Sequence, residues 1–342
     1  MKYALAVLAR LTLLCVAALI ARPVFADEGD RVSTFKPFDR GDVIVAATIM
    51  DVVEDDHAGT GRLLQYDADL NLKGVLWVEG TRHKIGGLTF SPQGVLWGFS
   101  QLTPAMFEVA PDGVQRPPRL FSNRTLSSVT FGADGSYYFG EHLQGKETGH
   151  PSITTRFKIL PGTDNVGAGN VYRFSDDGTL LKEYETDAHG GIAGFLAVTS
   201  TVLTDNDTRL IYISETGPKV MQYDLANDRQ LPDLAVFEND PRVPMVLTMA
   251  PFSDGRLLIT TGSGMIILDP DSGEVLRHIP IEGRPGWAAV APSYDDQYAL
   301  VGNFWTGDLL KIRIEDGATV AQTNVGQKES LSGIAQFAGP SL

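Results

Sequence analysis

RHKIGGLTFSPQGVLWGFS, spanning Arg82–Ser100, is two short β-rich runs joined by the turn Ser91-Pro92-Gln93-Gly94. Related phrases return along the chain: SSVTFGADGSYYFGE at 127–141, TVLTDNDTRLIYISE at 201–215, VLTMAPFSDGRLLIT at 246–260 and GWAAVAPSYDDQYALVGN at 286–303. In each, β-branched and aromatic residues flank a turn of Pro, Gly, Asp or Asn, so each reads as one β-hairpin. A second series of turns is interleaved: YDADLN from Tyr66, APDG from Ala110, SDDG from Ser175, DLANDR from Asp224, DPDSG from Asp269 and EDG from Glu315. Gly or Asn in these turns supplies the positive φ that tight connections need.

Two hairpins make a four-stranded meander, and a period of roughly forty residues is the arithmetic of a propeller blade. One blade leaves both faces bare, so neighbours must stack around an axis. The two ends of the chain are complementary. DVIVAATIM at 42–50 behaves like a second strand without a first, and SLSGIAQF at 330–337 is a first strand without a successor. Pairing them completes blade one and leaves no open edge. The expected fold is all-β, a six-bladed β-propeller of four-stranded antiparallel blades. Wider spacing between Phe131 and Val246 leaves seven blades as the alternative.

The first 26 residues read differently. Basic Lys2 and Arg10, an apolar run at 11–21 and the ending Val24-Phe25-Ala26 are the pattern of a secretory signal peptide. The expected organisation is therefore a signal peptide at 1–26 and one propeller domain at 27–342, periplasmic or secreted, without stable membrane insertion after cleavage. Cys15 is the single cysteine and lies inside that segment, so disulfides and thiol chemistry are not expected. The chain of 342 residues carries a formal net charge of -14, which disfavours nucleic acid and anionic membrane as partners.

In an up-and-down meander the hairpin turns share the bottom face, and the other connections share the top. The blade-three top loop, about 141–169, is unusually long and holds His142, Lys146, His150, Arg156 and Lys158. Long loops in compact domains tend to carry function. Oxygen-bearing residues recur at the tops of second strands: Glu141, Ser214 with Glu215 next, Thr261, Asn303 and, in blade one, Asp51. Such oxygens suit a hard cation, Ca or Mg, with imidazole admitting Zn. Basic residues recur just before the innermost strands: His83 and Arg124 in register, Arg284 and Lys328 within about one residue, Arg242 within two. A positive mouth in an acidic protein focuses anions, so a small anionic molecule is the expected ligand. Of the six histidines, His142, His150 and His189 fall in top-face segments, where imidazole serves as base or ligand. The chain lacks a G-x-S-x-G elbow, an H-E-x-x-H motif, a nucleotide-binding Gly loop and an EF-hand pattern.

GLTFSPQGVLWGFS and the DG turns resemble the six-bladed gluconolactonase, strictosidine-synthase and NHL-repeat propellers over most of the chain. In the gluconolactonase group Glu, Asn and Asp before the inner strands hold an axial divalent metal. This chain departs from that pattern by placing Arg124, Arg242 and Arg284 at or near those positions. There is a weaker resemblance to virginiamycin B lyase, in which Glu after a second strand and His near an inner strand serve a metal-assisted elimination. YYFGEH and YISET match the Glu placement. That resemblance implies Glu141 and Glu215 as metal ligands, joined by Asn303, with His142 and His189 as bases. His83, Arg124, Arg242, Arg284 and His150 are the expected substrate contacts. Two functional classes stand out: an exported metal-assisted hydrolase or lyase on a small anionic or lactone substrate, and a non-catalytic cell-envelope propeller that binds a ligand or protein partner. A redox accessory propeller is a third class, without a haem or quinone motif to support it.

Overall fold

The computed structural model describes residues 31–52, 58–81, 84–100, 106–119, 121, 125–142, 169–187, 197–214 and 217–340. The signal-peptide expectation for 1–26 lies outside them. Among the described residues no helix is long and apolar enough to cross a membrane.

Six antiparallel sheets surround one axis. Blade one holds β1 (Val43–Ala47), β2 (Arg62–Tyr66) and β3 (Leu72–Trp77), with β24 (Leu331–Gln336) as its innermost strand. Blade two holds β4 (Ile85–Phe90), β5 (Leu96–Ser100) and β6 (Met106–Val109). Blade three holds β7 (Leu126–Phe131), β8 (Tyr137–Glu141), β9 (Val171–Phe174) and β10 (Leu180–Tyr184). Blade four holds β11 (Ser200–Thr204), β12 (Arg209–Ile213), β13 (Lys219–Asp224), β14 (Arg229–Gln230) and β15 (Ala235–Val236). Blade five holds β16 (Met249–Pro251), β17 (Leu257–Thr260), β18 (Gly264–Leu268) and β19 (Val275–Pro280). Blade six holds β20 (Trp287–Pro292), β21 (Tyr298–Asn303), β22 (Asp308–Arg313) and β23 (Thr319–Asn324). The fold is the expected six-bladed propeller, and the alternative of seven blades is excluded.

Closure is the predicted one. Val43 to Ala47 pair antiparallel with Gln336 to Leu331, so one blade is built from both ends of the chain. Second strands are buried along their whole length because both faces pack against neighbouring blades: β1, β5 and β17 have no exposed residue. Outermost strands return to alternation, as in β23, where water takes one face. The bottom hairpins behave as read. Gly94, Gly135 and Gly255 carry φ of 78°, 82° and 89°, the left-handed region open to glycine at no steric cost.

Two blades depart from four full strands, and proline explains both. Beyond Val109 blade two keeps only isolated bridges, Val109 to Gln115 and Met106 to Arg119. Pro117 and Pro118 lie between them and have no N–H to donate to a ladder. Arg116 and Arg119 instead grip the buried Glu108 carboxylate of β6 at 3.0 and 3.1 Å. In blade four, Pro232 splits the outer strand into β14 and β15.

Four of the six inner strands carry a β-bulge against their second strand. The register slips between Leu126 and Ser128, between Trp287 and Ala289, between Gly86 and Thr89, and opposite Ala46 and Ala47 in blade one. A bulge re-aims side chains and terminates pairing. Hydroxyls at the starts of the inner strands, bulged or not, reach the next blade. Ser332 Oγ donates to Ile85 O, Ser127 Oγ to Val198 O, Thr199 Oγ1 to Leu247 O at 3.4 Å and Thr248 Oγ1 to Ala288 O at 2.7 Å. The blades are thus stapled around the axis by hydroxyls at the starts of the inner strands.

Candidate functional site

Register fixes which residues end the second strands. Each pairs with the first residue of an inner strand: Ala47 with Leu331, Ser100 with Ile85, Glu141 with Leu126 and Asn303 with Trp287. Ser214 and Thr260 take that place in blades four and five. The predicted ring of oxygen-bearing residues is therefore present, with two corrections. Thr260 replaces Thr261, and Ala47 replaces Asp51. Asp51 is exposed and accepts a bond from Thr60 Oγ1 at 2.7 Å.

The ring is buried, and most of it holds loops. Glu141 is fully buried at the end of β8. Its Oε2 accepts the backbone N–H groups of Gly169 and Asn170, both at 3.1 Å, and the Tyr172 hydroxyl at 3.3 Å. Tyr172 and the Asn170 amide also reach Glu183, at 3.1 and 2.9 Å. Glu141 thus anchors the start of the chain's return from the long top loop. Asn303 does the same for blade six: its Oδ1 accepts the N–H groups of Trp305 and Thr306, and its Nδ2 donates to Arg284 O at 2.7 Å. Thr260 Oγ1 bonds Thr248 at 3.0 Å, and Ser100 Oγ meets Thr81 Oγ1 at 3.1 Å. For a metal, the fit is poor at Glu141 Oε2 and Asn303 Oδ1, which already face N–H and O–H donors. Among the described residues no three of His, Cys, Asp and Glu come together at metal-binding distance. Glu215 and His189, the other expected members, lie outside the described residues, as do His83, Arg124 and His150.

His142 is buried, its N–H bonded to Thr125 O at 2.9 Å, directly after Glu141 at the top of blade three. The expected basic mouth divides. Arg242 is exposed and locked onto Asp240 by two bonds at 2.9 and 2.8 Å. Those bonds hold the Asp240 carboxyl down to about 2. The pair acts electrostatically on His278, which sits on the outermost strand of blade five, so Arg242 belongs to the rim. Arg284 is exposed, lies with its guanidinium carbon 5.5 Å from the centre of the Trp305 ring, and has no carboxylate at ion-pair distance among the described residues.

Sequence reasoning missed four residues here. Lys84, immediately after His83, is buried and places Nζ 4.4 Å from the Phe304 ring centre. It thereby reaches from blade two across the top of blade one to blade six. Phe304 meets Trp305 edge to face at 5.0 Å. The result is a run of cation, ring, ring, cation: Lys84, Phe304, Trp305, Arg284. The doublet Phe304-Trp305 directly after the predicted Asn303 was the legible signal. Trp305 is 38% exposed, whereas Trp97 and Trp287 are buried. Its seat is prepared: Gly286 has φ of 131°, and a Cβ there would lie 2.2 Å from Trp305 Cδ1. The fourth is Arg62, fully buried, with Nε on Ala47 O at 2.8 Å and Nη2 on Val325 O at 2.9 Å. Burial lowers its pKa to about 10 and raises that of nearby Tyr66. Arg62 remains charged at neutral pH and ties β1 to the segment entering β24. A lone arginine opening a strand gives no sequence signal of that role.

No family model matches the chain, and no curated protein matches it in sequence. Solved structures match in fold. A chain of the nidogen–laminin complex superposes with a TM-score of 0.60 at 12% identity, covering 87% of this chain and 100% of that one. A protein of unknown function from Bacteroides caccae gives 0.57 at 12% identity, covering 87% and 99%. Virginiamycin B lyase from Staphylococcus aureus, an inactive variant with quinupristin, gives 0.49 at 12%, covering 86% and 96%. The first two likenesses support the propeller fold and say nothing about activity, since propellers host catalysis and pure binding alike.

Proposed function

We propose that this chain is an exported ligand-binding propeller whose top face takes a small anionic molecule with a flat or apolar portion. The observation that carries this reading is the exposed Arg284–Trp305 pair. Arg284 offers a cation that no described carboxylate neutralises, in a protein of net charge -14. Trp305 offers a ring held in place by Gly286 and the Asn303 cap. A guanidinium beside an aromatic face favours an anion that can also stack.

Benzoate is a suitable probe, with tryptophan fluorescence as the readout, because Trp305 is the exposed tryptophan among those compared above. Parent protein should show saturable quenching at low salt. Arg284→Ala should weaken binding about five- to tenfold, a loss of one exposed charge contact. The difference should shrink as salt shortens the screening length. Equal affinity for parent and variant at low salt overturns the reading.

A second reading is favoured by one specific observation, the succession of buried Glu141 and His142 at the top of blade three. It is a metal-assisted hydrolase or lyase on a small anionic or lactone substrate. In this reading Glu215 would supply a carboxylate for a Ca, Mg or Zn ion that polarises a carbonyl, and His142 or His189 would move the proton. The N–H groups already on Asn303 Oδ1 and Glu141 Oε2 count against those two as ligands. The weaker resemblance to virginiamycin B lyase and the departure from the gluconolactonase metal pattern both bear on it. Calorimetric titration of metal-stripped protein decides the matter: absence of saturable divalent-ion binding removes this mechanism.

A further inference from the structure

The loop that carries the chain from β15, on the outside of blade four, to β16, the innermost strand of blade five, frames a cavity of about 420 Å³ on the top face. Small-ligand sites fall in the range of roughly 300–1,000 Å³. Three prolines line it, Pro218, Pro241 and Pro244, together with Phe237, which is buried in the cluster between blades four and five.

The frame is rigid. Both ends of the loop are pinned just ahead of β13: Phe237 N–H donates to Pro218 O and Val246 N–H to Gly217 O, both at 2.8 Å. Between them Asp240 N–H reaches Phe237 O at 2.9 Å, and Val243 N–H reaches Asp240 O at 3.0 Å. Each proline fixes its own φ. Val243 and Val246 are fully buried and root the loop in the core. A cavity held this way is formed before a ligand arrives, so little is lost to ordering when one binds.

Two carboxylates belong to the lining, and they differ. Asp240 is committed to Arg242 through both its oxygens. Glu238 is exposed and has no hydrogen bond or ion pair among the described residues. Lys219 feels its charge, but Lys219 Nζ bonds Asp233 at 2.8 Å. An uncompensated carboxylate thus stands at a cavity walled by proline rings and Phe237. We propose that this cavity binds a small organic cation with a flat apolar body, an arylalkyl amine. The site is distinct from Arg284 and Trp305 and rests on neither reading of them.

The chemistry selects the ligand class. Phe237 and the proline rings offer surfaces on which an aromatic ring packs. Glu238 attracts an ammonium, and because Glu238 is exposed the ammonium keeps part of its water there. An anion would be repelled by both carboxylates. A hard metal ion wants roughly six to eight oxygens, and with Asp240 committed the lining offers it one free carboxylate.

The test is calorimetric titration of the full chain at low salt and pH 7 with benzylamine, which is protonated there. Benzyl alcohol is the neutral probe of the same shape. The parent should bind benzylamine saturably and more tightly than the alcohol. Glu238→Gln should weaken benzylamine about five- to tenfold and leave the alcohol unchanged. Pro241→Ala removes a wall and should weaken both probes. Both positions are exposed, so the variants should fold. No saturable heat with benzylamine in the parent overturns the proposal. So does equal benzylamine affinity in the parent and Glu238→Gln, and so does a Pro241→Ala variant that binds both probes as the parent does.

Discussion

The seam between blades four and five and the seam between blades three and four are built from the same parts in the same register. Thr199 and Ser127 are equivalent, and each bonds a carbonyl of its own blade and a carbonyl of the next. For Thr199 these are Ile213 O and Leu247 O, and for Ser127 they are Gly140 O and Val198 O. The following residue is serine in both. Ser200 Oγ accepts the N–H of Met249 at 3.1 Å, while Ser128 Oγ has no partner. The stapling that closes the ring is thus common to both seams, and the unspent hydrogen-bonding capacity belongs to one.

The comparison presumes a closed ring, and the largest expected effect comes from opening it. Deleting residues 330–342 removes β24 and the residue after it, with buried Leu331, Ile334 and Phe337. Burying one such side chain contributes about 1.5–3 kcal/mol, against a typical total of about 5–15 kcal/mol for a domain. The truncated chain should lose its cooperative melting transition. An unchanged calorimetric melting curve would show that the seams hold without closure.

A smaller break targets the narrow point of the blade-three seam. Gly140 pairs with Ser128, and a Cβ there would sit 2.3 Å from the backbone oxygen of Val198. The same register position in blade four is Ile213, which carries a full side chain. Gly140→Ala should cost about 1–3 kcal/mol through overpacking. Urea midpoints measure it, and a midpoint equal to the parent's would mean the two seams are equally wide there.

The two serines sharpen the comparison further. Ser200→Ala strands the Met249 N–H and should cost about 1–3 kcal/mol. Ser128→Ala strands nothing and should change stability by no more than about 0.5 kcal/mol. Equal losses from the two substitutions would show that Ser128 has a partner after all.

The hairpins, the blade count and the closure of β1 on β24 were legible because each rests on local patterning: paired β-rich runs, turn glycines and unmatched terminal strands. The missing fourth strand of blade two was legible in principle, since Pro117-Pro118 stands where it would run. The candidate site was legible by position and not by role. Counting from Ser100 placed oxygen-bearing residues at strand ends, and Glu141, Ser214 and Asn303 are there. Whether such a side chain faces a ligand or caps its own loop depends on one-residue bulges and on the backbone N–H groups nearby. Gly169, Asn170, Trp305 and Thr306 supply those groups, and nothing in their spelling announces it. The basic residues divide for a similar reason. Arg242 is followed in the fold by its own Asp240, two positions earlier in the chain, while Arg284 follows Glu282 and Gly283 yet pairs with neither.

That division yields the smallest expected effect. Arg242 and Arg284 both precede inner strands, and sequence placed both at the mouth. Asp240 neutralises Arg242, and the bonds persist as pH falls because they hold the carboxyl down to about 2. A carboxyl held below its ordinary 3.8 keeps its partner above that pH and releases it only as pH falls through about 2. Arg242→Ala should therefore leave benzoate affinity unchanged at pH 7 and at pH 5, while Arg284→Ala weakens it at both. The readout is the same tryptophan quenching at low salt. Should Arg242→Ala weaken binding as much as Arg284→Ala, the mouth is a diffuse field of cations and the Arg284–Trp305 pair has no special place in it.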